Sequence, residues 1–219
     1  MIKETRKRLE SAILDADRQA ANRITDEWAA AHGYEDAVTE ILEPTLAKIG
    51  DLWDKSGDLS LAQGYVAGKI AEDIMVKAAA QGGTAGDRKK KGPIVIGNIE
   101  EDYHALGRRL VSIFLRSSGW KVHDLGNDVP ADEFVEEALD AGAKIIAVSA
   151  MMYTTAMNIR GVREELEARG LNGKIQLAVG GAVFKLRPEL VDEIGADGTT
   201  GTAIHTPALM ERLWRNAEK

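Results

Sequence analysis

The sequence predicts an α/β protein in two parts: an N-terminal bundle of four to five helices, then a doubly wound parallel-sheet domain of the Rossmann-like, flavodoxin-like kind. Three observations predict it. Residues from about 3 to 80 place apolar side chains at a 3.6-residue period. The stretch Gln81-Gly-Gly-Thr-Ala-Gly-Asp-Arg-Lys-Lys-Lys-Gly-Pro93 is rich in glycine and charge and has no apolar anchor. Beyond it, short continuous apolar runs alternate with amphipathic ones, as in a sheet buried on both faces. The expected organisation is a bundle at 1–82, a linker at 83–92 and the sheet domain at 93–219.

In the bundle, Leu9, Ile13, Leu14 and Ala16 mark a first helix. Ala20 to Ala30, with Ile24 and Trp28 on one side, mark a second. Val38, Ile41, Leu42, Leu46, Ile49 and Trp53 mark a third from Tyr34 to about Lys55, which Pro44 kinks or splits. Ser56-Gly-Asp58 makes a turn and Ser60 is a plausible N-cap for a last helix through Val66, Ile70, Ile74 and Met75. In the second part, strands are expected at Ile94–Gly97, Lys121–Leu125, Ala143–Ser149, Ile175–Val179 and, as the weakest, near Gly198–Thr200. Helices are expected at about 103–117, 131–141, 156–169, 187–194 and 203–217.

Composition narrows the function. The 219 residues include no cysteine, which excludes disulfides, thiolate metal sites, iron–sulfur clusters and cysteine nucleophiles. No apolar stretch approaches the roughly 20 residues that span a bilayer, and the charged amino terminus does not read as a signal peptide. A cytoplasmic location is the default. The net charge of −7 argues against a general nucleic-acid binder, and the lone basic cluster, Arg88-Lys-Lys-Lys91, reads as a solvated hinge. Neither a nucleic acid nor a membrane is an expected partner.

The most informative stretch is Gly97-Asn-Ile-Glu-Glu-Asp102-Tyr-His104-Ala-Leu-Gly107. It follows the first expected strand and precedes an amphipathic helix. That puts an Asp, a His and a Gly at the carboxyl end of a strand, where open α/β sheets bind ligands. An imidazole there can ligate a metal while a carboxylate two residues away accepts its second N–H and raises its basicity. The bland alternative is a helix-capping Asp followed by an ordinary helix residue. His32, His123 and His205 lack metal-ligand spacing to His104 and read as structural or surface residues. No Walker A sequence, no Gly-x-Gly-x-x-Gly fingerprint and no nucleophile elbow is present.

Three further segments follow in order: Gly119-Trp-Lys-Val-His-Asp-Leu-Gly-Asn-Asp-Val-Pro130, Val148-Ser149-Ala-Met151-Met-Tyr-Thr-Thr155 and Val179-Gly180-Gly181-Ala182. With Asp102-x-His104-x-x-Gly107 they resemble the cobalamin-binding domains of methionine synthase and of the corrinoid proteins of methyltransferase systems. Met151 stands where Leu is usual. The resemblance covers residues 93 to about 215. It extends to the bundle through Glu40-Ile-Leu-Glu-Pro-Thr-Leu-Ala-Lys-Ile-Gly-Asp-Leu-Trp53 and Leu59-Ser-Leu-Ala-Gln-Gly-Tyr65, which look like the helical cap of these proteins.

The resemblance implies the site residues. His104 matches the lower axial ligand of cobalt, displacing the cofactor's own dimethylbenzimidazole, and Asp102 matches the carboxylate that holds this His. Thr155 falls where a hydroxyl extends the relay. Ser149, Gly180 and Gly181 fall where the displaced nucleotide tail is buried, and Gly107 allows close approach to it. Tyr103 and Met151 are counted with the cofactor-binding residues, and Trp53 is placed over the upper face of the corrin. The implied cofactor is cobalamin, cycling between Co(I) and methylcobalamin. The implied role is a shuttle subunit, not catalytic alone, serving a substrate-specific methyltransferase and an acceptor methyltransferase that uses tetrahydrofolate or a thiol, with a corrinoid reductive activator. The alternative is a cobalamin-dependent sensor acting through a partner. Light-sensing relatives carry Glu-His on the bundle where Gln63-Gly64 stand here.

Overall fold

The computed structural model describes residues 1–56, 60–80 and 91–217, without the side chains of residues 35, 53–56, 61, 75 and 78–80. Most of the expected linker and of the turn at 56–58 therefore lies outside the described residues. Helices α1 (Ile2–Leu14) and α2 (Arg18–His32) pack as a hairpin. Asp17 caps α2 by accepting from the Ala20 amide at 2.8 Å. Ala16, expected in the first helix, lies beyond its end at a φ of 56°.

The third helix is continuous but not uniform. A short α3 (Tyr34–Asp36) runs through a π-helical stretch, Ala37–Leu42, into α4 (Glu43–Ser56). Pro44 explains this in place of a break. It has no N–H and its ring crowds the carbonyl of residue 40, and widening the preceding turns relieves both. The Glu40 carbonyl is taken instead by Arg6 Nε at 2.6 Å. Helix α5 (Leu61–Ala80) begins on a capping box. The Gln63 amide donates to Ser60 Oγ at 3.2 Å, and Gln63 Oε1 accepts from the Ser60 amide at 2.9 Å.

The second part is a four-stranded parallel sheet, β1 (Lys91–Ile99), β2 (Trp120–Val129), β3 (Ile145–Ser149) and β4 (Gln176–Gly180), in the order β2-β1-β3-β4. Helices α6 (Ala105–Ser117), α7 (Ala131–Ala141), α8 (Tyr153–Asn158), α9 (Arg160–Ala168), α10 (Ala182–Leu186), α11 (Leu190–Ile194) and α12 (Thr206–Asn216) complete it. The apolar runs alternate between two cores: Val95, Ile99, Ile146 and Val148 on one face, Ile94, Ile96, Ile145 and Ala147 on the other.

Three expectations change in detail. The strand near Gly198–Thr200 is reduced to one bridge between Ala178 and Gly198, because the polar run has nothing to bury. The helix expected at 156–169 starts at Tyr153 and divides at Ile159. The helix expected at 187–194 shortens to α11, starting after Pro188, and α10, before it, has no counterpart among the expected helices.

The two parts touch through α6. Leu110 and Phe114 of α6, and Ile204 from the 3₁₀ turn Ala203–His205, belong to the same core as Ile41, Ile49 and Ile70. Gly68 of α5 lets this happen, since a Cβ there would sit 3.2 Å from both Leu110 and Ile113. No described helix is long and apolar enough to cross a membrane.

Candidate functional site

Strands β1 and β3 are neighbours whose following helices leave to different sides, so their carboxyl ends open a crevice. Asp102 and His104 lie in the loop after β1. Met151 and Thr155 come from the segment after β3. Asp102 is fully buried. Its Oδ1 accepts from the His104 amide at 2.9 Å, from Asn98 Nδ2 at 2.8 Å and faces His104 Nδ1 at 3.3 Å. Its Oδ2 accepts from the Met151 amide at 2.7 Å and from Thr155 Oγ1 at 3.0 Å. Burial alone would push this carboxyl up. The hydrogen bonds from Met151, His104, Asn98 and Thr155 outweigh it and hold the group below the ordinary carboxylate range.

His104 is the N-cap residue of α6, and its side chain is 46 % exposed. With Nδ1 turned to Asp102, Nε2 is the nitrogen left for a ligand. This is more than the helix-capping alternative requires, because the carboxylate also gathers donors from the loop after β3.

Beside His104 opens a cavity of about 300 Å³. Ser149, Gly180, Gly181 and Met151 line it, with apolar walls from Ile96, Leu110, Ala147 and Leu209. Gly107 and Gly180 face free space, where an added Cβ would meet nothing within 4 Å. Gly181 differs: at φ 119° its Cβ would overlap the Ala150 carbonyl. In the segments that follow β1, β3 and β4, large apolar side chains stand exposed. Tyr103, Leu106, Met151, Met152, Tyr153 and Leu186 are 44–81 % accessible, an apolar platform suited to a broad flat ligand. The Tyr103 hydroxyl donates to Asp128, which places its ring at this edge rather than in the cavity. Trp53 lies on α4, and its side chain is outside the described residues.

Sequence reasoning missed the layer beneath Asp102. Asn98, fully buried, bridges Asp102 to Arg108, whose Nε donates to Asn98 Oδ1 at 2.8 Å. Arg108 is itself buried, pairs with Asp124 and donates to Asn127 Oδ1 at 3.2 Å. An Asn ending an apolar strand, and an Arg on the apolar side of an amphipathic helix, were the available signals. Two non-glycine residues at positive φ flank the network, Glu101 at 66° and Asp128 at 60°. The Glu101 amide donates to Asp128 Oδ1 at 2.7 Å, which fixes both.

The other histidines have structural partners. His32 stacks on Trp28 with centroids 4.2 Å apart, His123 bonds Glu137 at 2.8 Å, and His205 lies 3.4 Å from Asp51 on α4. Among the described residues no group of three or more His, Asp or Glu is disposed to hold a metal ion.

The B12-binding domain family matches residues 92–209, and a second B12-binding domain family matches residues 5–76. A dimethylamine corrinoid protein of Methanosarcina acetivorans is 33 % identical over 186 residues, 85 % of each chain. A cobalamin-binding protein of Desulfitobacterium hafniense has the same fold at a TM-score of 0.78 and 23 % identity, covering 97 % of this chain and 98 % of its own. So does a chain of the methanol:cobalamin methyltransferase complex of Methanosarcina barkeri, at a TM-score of 0.67 and 23 % identity, covering 96 % of this chain and 79 % of that one. The chain belongs to the B12-binding family of corrinoid proteins.

Proposed function

We propose that this protein is a methyl carrier that holds cobalamin with His104 as the lower axial ligand and the nucleotide tail in the cavity beside it. The observation that carries this is the Asp102–His104 pair, braced from β1 and from the loop after β3, at the mouth of a cavity of about 300 Å³. The dimethylamine corrinoid relative and the likeness to a chain of a methanol:cobalamin methyltransferase complex support it. The bound corrinoid supplies a cobalt able to accept and release a methyl group. The protein supplies the rest. Asp102 orients His104 so that Nε2 is the nitrogen offered to the metal, and Thr155 and Met151 keep Asp102 ionised and fixed. Gly107, Ser149 and Gly180 leave room for the tail, and the apolar platform with Tyr103 and Met151 bears the macrocycle.

Partners on this reading are a substrate-specific methyltransferase, a methyltransferase delivering to tetrahydrofolate or a thiol, and a reductive activator. For them to reach the upper face, the bundle lifts from its contacts on α6 and His205. A covalent crosslink between bundle and sheet domain then blocks methyl transfer and spares cofactor retention; full transfer by the crosslinked protein would refute the movement. Gln63, at the place where light-sensing relatives carry Glu-His, is engaged by Ser60 and by the Leu14 carbonyl at 2.7 Å, which bears on a light-sensing role and not on a sensor acting through a partner.

The test is an absorbance spectrum after mixing with hydroxocobalamin and desalting, with His104→Ala alongside. One equivalent retained, with a spectrum that changes in the variant, is expected. Identical spectra would remove His104 from the metal, and no retention would remove the carrier reading itself.

A further inference from the structure

Arg108 borders the cavity at 5 % exposure, yet each of its three nitrogens has a partner within the protein. Nε donates to Asn98 Oδ1 at 2.8 Å, one terminal nitrogen donates to Asn127 Oδ1 at 3.2 Å, and the other pairs with Asp124. Asn98 lies near the end of β1, and Asp124 and Asn127 lie on β2. The guanidinium stands one helical turn after His104 and ties α6 to both strands. Burying a guanidinium is costly even when it is paired, and the cofactor reading alone gives it no task.

What Arg108 fixes is the amide of Asn98. A guanidinium only donates, and it keeps its charge at every working pH. It holds the Asn98 carbonyl toward itself and so turns the Asn98 amide nitrogen the other way, to Asp102 Oδ1 at 2.8 Å and the His104 carbonyl at 3.3 Å. The reversed amide would set an oxygen against the carboxylate. The two oxygens of Asp102 are braced unequally. Oδ2 is held by Met151 and Thr155, from the segment after β3. Oδ1, which faces the His104 ring at 3.3 Å, accepts from the His104 amide and from Asn98. The amide moves with His104, so Asn98 is the external reference for that oxygen. We propose that Arg108 is a positioning residue for the axial ligand: acting through Asn98, it fixes Asp102 Oδ1 and so aims the His104 imidazole at the metal. The proposal rests on the cobalamin reading above.

The test loads the full chain with hydroxocobalamin, reduces it to the Co(II) form and records the electron paramagnetic resonance spectrum. It is done with ordinary histidine and with histidine carrying the heavy nitrogen isotope. A splitting that changes with the label counts the cobalt ligated by histidine, and wild-type protein is expected to show it. Arg108→Met and Asn98→Ala should each lower the ratio of His-ligated to other bound cobalt by about tenfold, the effect of one lost hydrogen bond. Because Arg108 acts through Asn98, the Asn98→Ala/Arg108→Met variant should match Asn98→Ala within about twofold. Arg163→Met is the structural control. Its guanidinium is held by Gly195, Asn172 and Asp197 away from the cavity, so this variant should lose stability and keep the wild-type ratio. An unchanged ratio in Arg108→Met, an equal fall in Arg163→Met, or a double variant whose losses multiply overturns the proposal. Should Arg108→Met fail to fold, Arg108→Lys, which keeps the charge beside Asp124 without the donor at the Nε position, is read in the same way. A wild-type splitting blind to the label would instead overturn His104 as the ligand, the reading on which the proposal rests.

Discussion

Both carboxylate oxygens of Asp102 are saturated by Asn98, His104, Met151 and Thr155, while the hydroxyls of Thr202 and Thr206, in the wall of the adjoining cavity, have no partner. One side of the site is complete before any ligand arrives; the other is complementary to something not part of the chain. The difference matches two tasks. A metal ligand must be held in one orientation, which costs least when the bracing is already built. A tail must enter, and hydroxyls already satisfied within the protein would gain nothing from it.

The largest test of this contrast uses adjacent glycines. Gly181→Ala drives a Cβ into the Ala150 carbonyl at a φ of 119°, and we expect a loss of about 3 kcal/mol or more in urea unfolding of the apoprotein. Gly180→Ala adds its Cβ to open space. Its stability should change by less than about 0.5 kcal/mol, while hydroxocobalamin affinity falls at least tenfold. Comparable destabilisation in both variants would mean that the cavity wall is packed rather than open.

Asp102→Asn is the next in size. Asn cannot accept from all of these donors, and the apoprotein should lose about 2–3 kcal/mol at neutral pH. The sign of the pH dependence follows from the lowered folded-state value. A depressed carboxyl contributes stability above its unfolded value, about 3.9, and loses it as pH falls through the lower folded value. Wild-type apoprotein should therefore weaken below about pH 4, with a steeper acid slope than the Asn variant. Parallel slopes would show that Asp102 is not held below its ordinary range.

How much of this was readable in the chain depends on whether a feature is local. The strands were legible as apolar runs, yet β1 begins at Lys91, before Pro93, where its pairing with β2 shifts register and pairing with β3 has not begun. β2 continues to Val129 through Gly-Asn-Asp, which reads as a turn, because those residues pair irregularly with the end of β1. The Asp102–His104 pair is two residues apart and could be read directly. Asn98, Arg108 and Asp124 meet only once β1, α6 and β2 are packed, so no spacing announces them. Thr206 falls in the helix expected at 203–217 and Thr202 between it and the strand expected near Gly198–Thr200, and their significance lies in an absence of hydrogen-bond partners that no motif announces.

The smallest expected effect separates the two sides most directly, because the same substitution is made on each. Thr155→Val removes a donor to Asp102 and unties the hydroxyl's second contact, to the Met152 carbonyl at 3.1 Å. A buried acceptor loses a partner, so the apoprotein should lose about 1–2 kcal/mol. Thr206→Val removes a hydroxyl that bonds nothing in the protein and keeps the volume. It should leave apoprotein stability unchanged or raise it by up to about 1 kcal/mol. Cobalamin affinity should move the other way, falling with Thr206→Val although the fold is no weaker. Stability measured by urea unfolding and affinity by titration would then be anticorrelated on the tail side alone. If Thr206→Val destabilised the apoprotein as much as Thr155→Val, its hydroxyl would be serving the fold, and the distinction between a finished side and a complementary one would fail.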